Sequence, residues 1–264
     1  MQPFAFQRPA SVADAVRALG ANDDGRALAG GQSLIAAMKL GLSSPGELVD
    51  LSQVAELRGI RVDGDRLVIG AMATHAAIAA SPDVQRLIPS VAELSGGIGD
   101  RQVRTMGTIG GSLANSDPAA CWPAGVLGLG ATIHTDRRTI AADDFFKGLY
   151  ETALGQGELI TAVSFPKPEC GAYVKFKQPA SRFALVGVFV SKGPAGVRVA
   201  VTGAGAAVFR ATSIEAALSA DWSPAAAERA AVSAAGLNTD LHGSAEYRAH
   251  LIPVLAARAV AAAH

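Results

Sequence analysis

Two short segments carry the clearest chemical signal in this chain, Ala29-Gly30-Gly31-Gln32-Ser33 and Thr108-Ile109-Gly110-Gly111-Ser112. Adjacent glycines let several backbone N–H groups turn toward one point, because no Cβ blocks the conformation or a ligand's approach. The first segment stands just ahead of an apolar helical run, where unpaired N–H groups and the positive end of the helix favour an anion. Ser33 and Thr108 add hydroxyl donors. Two such loops together suit the two phosphates of a dinucleotide. In a chain with 29 glycines, a pair of plain tight turns is the competing reading. Neither segment is a GxGxxG or a GxxxxGK(S/T), so the phosphate loops built on those patterns are excluded by the residues themselves.

The remaining chemistry-bearing residues are sparse. Cys121 and Cys170 are the two cysteines. They form no CxxC and cannot supply the four thiolates of an ordinary iron–sulfur cluster, so they read as free structural thiols. His75, His134, His242 and His250 are scattered, without metal-ligand spacing. Asp143-Asp144 reads as a helix cap rather than a catalytic carboxylate pair. No catalytic acid, base or nucleophile and no metal site is assigned, and any metal chemistry must come from elsewhere.

These segments need elements to position them. Ser11 is a fitting cap for a helix over 12–19, and Arg26–Leu28 is a short strand running into the first glycine segment. The helical stretch Leu34–Leu40 follows it, and Glu47–Leu51 is another strand. Gly59–Ala71 reads as a hairpin turning at Asp63-Gly64-Asp65, and Thr74 caps a helix ending near Ser81-Pro82. Val91–Ile98 is helical, Gly107–Ser112 a glycine-rich loop, and Asp117-Pro118 the start of a new helix, since proline's missing N–H costs nothing there. Ala131–Thr135 and Thr139–Ala141 form a second hairpin, and Glu158–Phe165 is a strand ending at Pro166. A composition change near Pro166–Glu169 marks a domain edge. Beyond it come strands at 183–191 and 197–202. Helices are expected at 213–220, 225–235 and 244–263, the last interrupted at Pro253. The expected class is α+β.

Whole-chain properties narrow the function further. Of 264 residues, half are hydrophobic and 17% charged, which is enough for a proper core. With 23 basic and 23 acidic residues the chain has no electrostatic footprint for nucleic acid or an anionic membrane. No signal peptide and no run of about 18 apolar residues is visible. The expected location is the cytoplasm.

The longer strings around the glycine segments are more specific than the glycines. Leu28-Ala29-Gly30-Gly31-Gln32-Ser33-Leu34-Ile35, with Met38-Lys39-Leu40 after it, resembles the first FAD motif of the flavoprotein (medium) subunits of molybdenum hydroxylases. So does Gln102-Val103-Arg104 through Gly107–Ala114 into Asp117-Pro118-Ala119-Ala120. The family includes the medium subunits of aerobic carbon monoxide dehydrogenase and of xanthine dehydrogenase-like enzymes. Lys177–Leu185, Ser244–Arg248 and His250-Leu251 are similar to the family's small C-terminal domain, so the likeness runs over essentially the whole chain.

That resemblance implies a two-part FAD-binding domain of the vanillyl-alcohol-oxidase (PCMH) type, followed by a small α+β domain with a three-stranded antiparallel sheet and helices. The implied boundaries are 1–167, in subdomains of about 1–56 and 57–167, and 168–264. Ala29–Ser33 and Thr108–Ser112 would contact the FAD pyrophosphate and neighbouring groups, flanked by Leu28 and Leu34. Cys121, Ile160 and Lys177 match other positions beside the cofactor. The implied partners are a large molybdenum-cofactor subunit and a small [2Fe–2S] subunit, in a dimer of heterotrimers. In it this chain passes electrons from the clusters through FAD to an external acceptor. The substrate pocket would lie in another polypeptide, so carbon monoxide, purines, N-heterocycles and aldehydes stay open as substrates, and so does the acceptor.

Three positions depart from the family pattern. Cys121 stands where many relatives have Asp, Thr105 where Asn is common, and Gly41 where Arg is common. A thiol is a poorer hydrogen-bond acceptor than a carboxylate, so weaker flavin binding is implied, although backbone N–H groups survive any side-chain change. Two other readings remain beside the relay subunit: a free-standing flavoprotein oxidase or reductase, and a scaffold subunit with weakened flavin binding.

Overall fold

The structure is a computed structural model and describes residues 2–264. A small parallel sheet comes first, with Glu47–Asp50 between Ala5–Gln7 and Gly25–Leu28. Parallel neighbours need a crossover, and the helix Val12–Ala21 supplies it. Ser11 starts that helix by accepting the Asp14 N–H. Its Ala15, Ala18 and Leu19 pack with Val49, Leu51 and Leu57.

The second unit is a five-stranded antiparallel sheet. Its strand order is Ile60–Asp63, Arg66–Gly70, Ile160–Pro166, Thr132–Thr135, Thr139–Ala141. One face carries Leu67, Ile69, Val163 and Phe165 into the main core, where they meet Trp122 and Phe145. Helices cover that face. Thr74 and Ser81 cap His75–Ala80 and Pro82–Leu87 through the N–H groups of Ala77 and Val84, and Pro89–Gly96 follows.

The C-terminal part is a four-stranded antiparallel sheet, ordered Cys170–Lys177, Ala184–Gly193, Gly196–Thr202, Phe209–Arg210. The expected three strands are there, and the two-residue Phe209–Arg210 adds a fourth. The helix Ala245–Ala262 buries Ile252, Leu255 and Ala259 against Val186, Val188 and Val190. Between the two large sheets lies Cys121–Gly128, every residue of which is buried, as a helix apolar all round should be.

Polar contacts tie the C-terminal part to the rest. Arg198, 7% exposed, donates to the Leu127 carbonyl and to both oxygens of Asp143. Ser191 donates to the Gly128 carbonyl. Asp143 therefore serves an ion pair across the interface rather than a cap.

Four local expectations are corrected. The glycine-rich loop of 107–112 is instead the start of a helix, Ile109–Asn115. Asp117-Pro118 begins no helix. The Pro118 carbonyl is held by the Gly203 N–H and the Thr202 hydroxyl, both at 2.7 Å, so the chain turns and the helix starts only at Cys121. The expected helix over 225–235 ends at Arg229, and the Ala231 carbonyl accepts from Ser213 instead of a helical N–H. Pro253 does not interrupt the last helix. The cost of about 3 kcal/mol for an interior proline is offset by a buried face on both sides of it, Leu251 and Ile252 before and Leu255 and Ala256 after. Among the described residues, no helix is long and apolar enough to cross a membrane.

Candidate functional site

The parallel pairing of Gly25–Leu28 with Glu47–Asp50 delivers the chain to Ala29, and a helix begins at Leu34. Between them the backbone folds sharply. Gly31 has φ 69°, a left-handed conformation that glycine adopts without a Cβ penalty. Gly30 lies so close to Met106 and Gly107 that a Cβ there would stand 2.0 Å from the Met106 carbonyl oxygen. The N–H groups of Gly30, Gly31, Gln32 and Ser33 find no acceptor among the described residues, while the Gly31 and Ser33 carbonyls accept from Ile35 and Ala37. Ser33 occupies the position before the helix without capping it through its side chain. Four successive N–H groups and a hydroxyl are thus left for a partner outside the chain.

The second segment is wired differently. Thr108 caps the helix, its Oγ1 accepting the Gly111 N–H at 3.2 Å. The Ile109 N–H donates to Ala73 O, Gly110 to Ala71 O and Ser112 to Thr108 O. A Cβ on Gly110 would lie 2.6 Å from the Ala71 methyl and 2.9 Å from its carbonyl oxygen. The bare side of Gly111 faces the first segment, where an added Cβ would stand 3.5 Å from the Ala29 methyl. The two segments therefore lie side by side, but the first offers four successive backbone donors, whereas in the second the N–H groups of 109–112 are all taken. Thr108 is 3% exposed, and its Oγ1 stands 2.9 Å from where a Gly111 Cβ would be, which leaves the partly exposed Gly111 and Ser112 to meet a ligand.

His75 braces the second segment from behind. Its N–H donates to the Gly107 carbonyl, and its Nδ1 accepts from Trp122 Nε1 at 3.0 Å. Burial, aided by the Arg104 charge, pushes the imidazole down to about 4, so the ring is a neutral acceptor at pH 7.

The other predicted residues are spread over several elements. Cys121, 6% exposed, is the first residue of the buried helix, and Lys175 Nζ donates to its Sγ at 3.3 Å. Lys177 is exposed at the end of the same strand, opposite Ala184. Ile160 is buried at the start of its strand and shares the main core with Ile109. Leu28 and Leu34 stand at either end of the first segment, Leu28 against the place a Gly31 Cβ would fill.

Lys175 and Tyr173, which the sequence did not single out, gather here with Arg104 and Arg182 from the quoted motif strings. Lys175 Nζ also donates to the Gly97 and Arg182 carbonyls, and the Arg104 and Arg182 side chains both reach Gly99 O. Only the alternation Lys175-Phe176-Lys177 hinted at it; apart from the Arg182 carbonyl, seven positions on, the contacts of Lys175 and Arg182 come from residues 54 to 83 positions away that topology alone brings near. Among the described residues, no group of His, Cys, Asp or Glu is placed to hold a metal ion.

Comparison with known proteins agrees with this geometry. Residues 2–168 match the family described as the FAD binding domain in molybdopterin dehydrogenase, and residues 172–263 match the CO dehydrogenase flavoprotein C-terminal domain. The nicotine 6-hydroxylase medium subunit of Paenarthrobacter nicotinovorans is 37% identical, over 97% of this chain and 95% of its own. The carbon monoxide dehydrogenase medium chain of Hydrogenophaga pseudoflava is 35% identical, over 98% and 96%. Among solved structures, carbon monoxide dehydrogenase from Hydrogenophaga pseudoflava superposes with a TM-score of 0.89 at 34% identity, covering 99% of this chain and 98% of that one. Quinoline 2-oxidoreductase from Pseudomonas putida 86 gives 0.89 at 30% identity, covering 99% and 96%.

Proposed function

We infer that this chain, which belongs to the family of FAD-binding medium subunits of molybdenum hydroxylases, passes electrons from the [2Fe–2S] clusters of a partner subunit to an external acceptor by way of its FAD. When bound, FAD supplies the exchange of one or two electrons, and the protein supplies its binding, orientation and electrostatic setting. The observation that carries this reading is the row of four unpaired N–H groups at Gly30–Ser33, beside the bare side of Gly111. Such a row suits a diphosphate, and no Asp or Glu stands in either glycine segment to repel it.

The residues then divide the work. Ala29–Ser33 hold the diphosphate through backbone N–H groups, with the Ser33 hydroxyl as a further donor. Leu28 and Leu34 keep that turn apolar at its edges. Thr108, Ile109 and Gly110 fix the neighbouring wall, leaving Gly111 and Ser112 to face the cofactor. Cys121, Ile160 and Lys177 line the far half of an extended dinucleotide. The helix Ile109–Asn115 runs from the second glycine segment toward Cys121.

A division at residues 167 and 168 fits the family matches, which end at 168 and resume at 172. The partners are a large molybdenum-cofactor subunit and a small [2Fe–2S] subunit, assembled as a dimer of heterotrimers. Two free thiols suit a reducing, cytoplasmic setting. Rapid anaerobic mixing of the FAD-loaded chain with its pre-reduced iron–sulfur partner tests the relay. Loss of flavin absorbance is expected; clusters that stay reduced beside an unchanged flavin would refute it.

A further inference from the structure

One cluster has a chemistry the electron relay does not use. Lys175 Nζ spends its three protons on the Gly97 carbonyl at 3.0 Å, the Arg182 carbonyl at 2.9 Å and the Cys121 Sγ at 3.3 Å. None of these partners is a carboxylate. The Tyr173 phenol lies against the same sulfur, and burial together with that thiol holds it protonated, well above its usual range. Yet its hydroxyl is buried and completes no hydrogen bond. A buried donor left without an acceptor is costly, and a thiol is a weak acceptor. An oxygen atom on the sulfur would give Tyr173 the partner it lacks.

We propose that Cys121 and Lys175 form a reversible sulfur–nitrogen bond when the protein meets hydrogen peroxide. Cys121 sulfur attacks one peroxide oxygen and the O–O bond breaks. The sulfur is oxidised to sulfenic acid, the peroxide is reduced, and the thiol proton leaves with the second oxygen as water. Tyr173 donates to the new oxygen. Lys175, having given a proton to solvent, attacks the sulfur from a starting separation of 3.3 Å, within the range of a productive approach. The S–N bond forms, the S–O bond breaks, and the departing hydroxide takes a proton and leaves as water. No further oxidant is needed for this second step. A thiol reductant cleaves the link and restores both side chains.

The bond would join the first turn of the buried helix Cys121–Gly128 to the C-terminal strand Cys170–Lys177. It would also remove a positive charge from a place where Lys175, Arg104 and Arg182 converge on the Gly97–Gly99 carbonyls. Cys170 provides an internal control. It is only partly buried, burial raises its thiol, and among the described residues no ammonium donates to it.

The test is peptide mass analysis of the purified full-length chain after brief treatment with hydrogen peroxide, with dimedone present to trap free sulfenic acid. The expected product is a Cys121 peptide joined to a Lys175 peptide, lighter than their sum by two hydrogen atoms. Cleavage by trypsin after Lys175 should be lost, dithiothreitol should release the link, and Lys175→Arg should lack it while keeping Cys121 trappable. Dimedone-labelled or unchanged Cys121 without the cross-link in the native chain would overturn the proposal, as would the same link at Cys170. The readout needs no flavin, so its outcome is independent of the cofactor assignment.

Discussion

In Ala29–Ser33 four N–H groups find no acceptor among the described residues; in Thr108–Ser112 the N–H groups of Ile109, Gly110, Gly111 and Ser112 all do. Both segments have paired glycines, and both precede or begin a helix. The difference lies in what stands behind them. The second is pinned to Ala71 and Ala73 and braced by His75, so its glycines exist for close packing. The first meets its neighbour through Ala29 and Gly30 and keeps its donors open. Paired glycines alone do not mark a phosphate site; the mark is paired glycines whose backbone donors have nowhere else to go.

That contrast predicts stability effects at the second segment and affinity effects at the first. The largest should come from acid acting on His75. Its folded value is about 4 against an ordinary 6.5, so the unfolded chain takes up the proton first as pH falls. The stability it contributes is complete above pH 6.5 and declines below it. Between pH 7 and 4 the loss should be about 3 kcal/mol, read as a falling urea midpoint and flattened in His75→Asn. Below 4.5 Glu158 adds a loss of the same sign, because hydrogen bonds from Arg138 hold its carboxyl down at about 2.

Gly110→Ala comes next. Its new methyl would stand 2.6 Å from that of Ala71, and overpacking of this kind costs about 1–3 kcal/mol, visible as a lower thermal midpoint. Thr108→Ala removes the cap on Gly111 and should cost about 1 kcal/mol. Ser33→Ala should break the pattern if the two segments were equivalent. It caps nothing, so folding stability should stay within about 0.5 kcal/mol, while the FAD dissociation constant rises about fivefold for one lost hydrogen bond. A Ser33→Ala protein that unfolds early but binds FAD normally would reverse the assignment of roles.

Much of this was readable in advance where the signal is local. Ser11 and Thr74 stand at helix starts as their side chains require, and the hairpin over 59–71 turns at Gly64 because only the sequence next to it matters. The motif strings around Leu28–Leu40 and Gln102–Ala120 named the family. What sequence could not supply was set by distant contacts. Asp117-Pro118 has every local sign of a helix start, but Thr202 and Gly203 draw the Pro118 carbonyl away. Pro253 should break a helix, but buried side chains on both sides hold it. Lys175 is an ordinary strand lysine until Cys121, 54 residues earlier, is placed against it. The glycine-rich look of 107–112 concealed a helix because Ala71 and Ala73, on another element, accept its first N–H groups.

Hydrogen exchange at single-residue resolution, on flavin-free protein with and without added FAD, addresses the open donors directly. Exchange at Gly30, Gly31, Gln32 and Ser33 should slow by about tenfold or more on FAD binding, while Ile109–Ser112, already protected, should not change. Fast exchange at 30–33 in the FAD-saturated protein, with new protection appearing only at 109–112, would contradict the account.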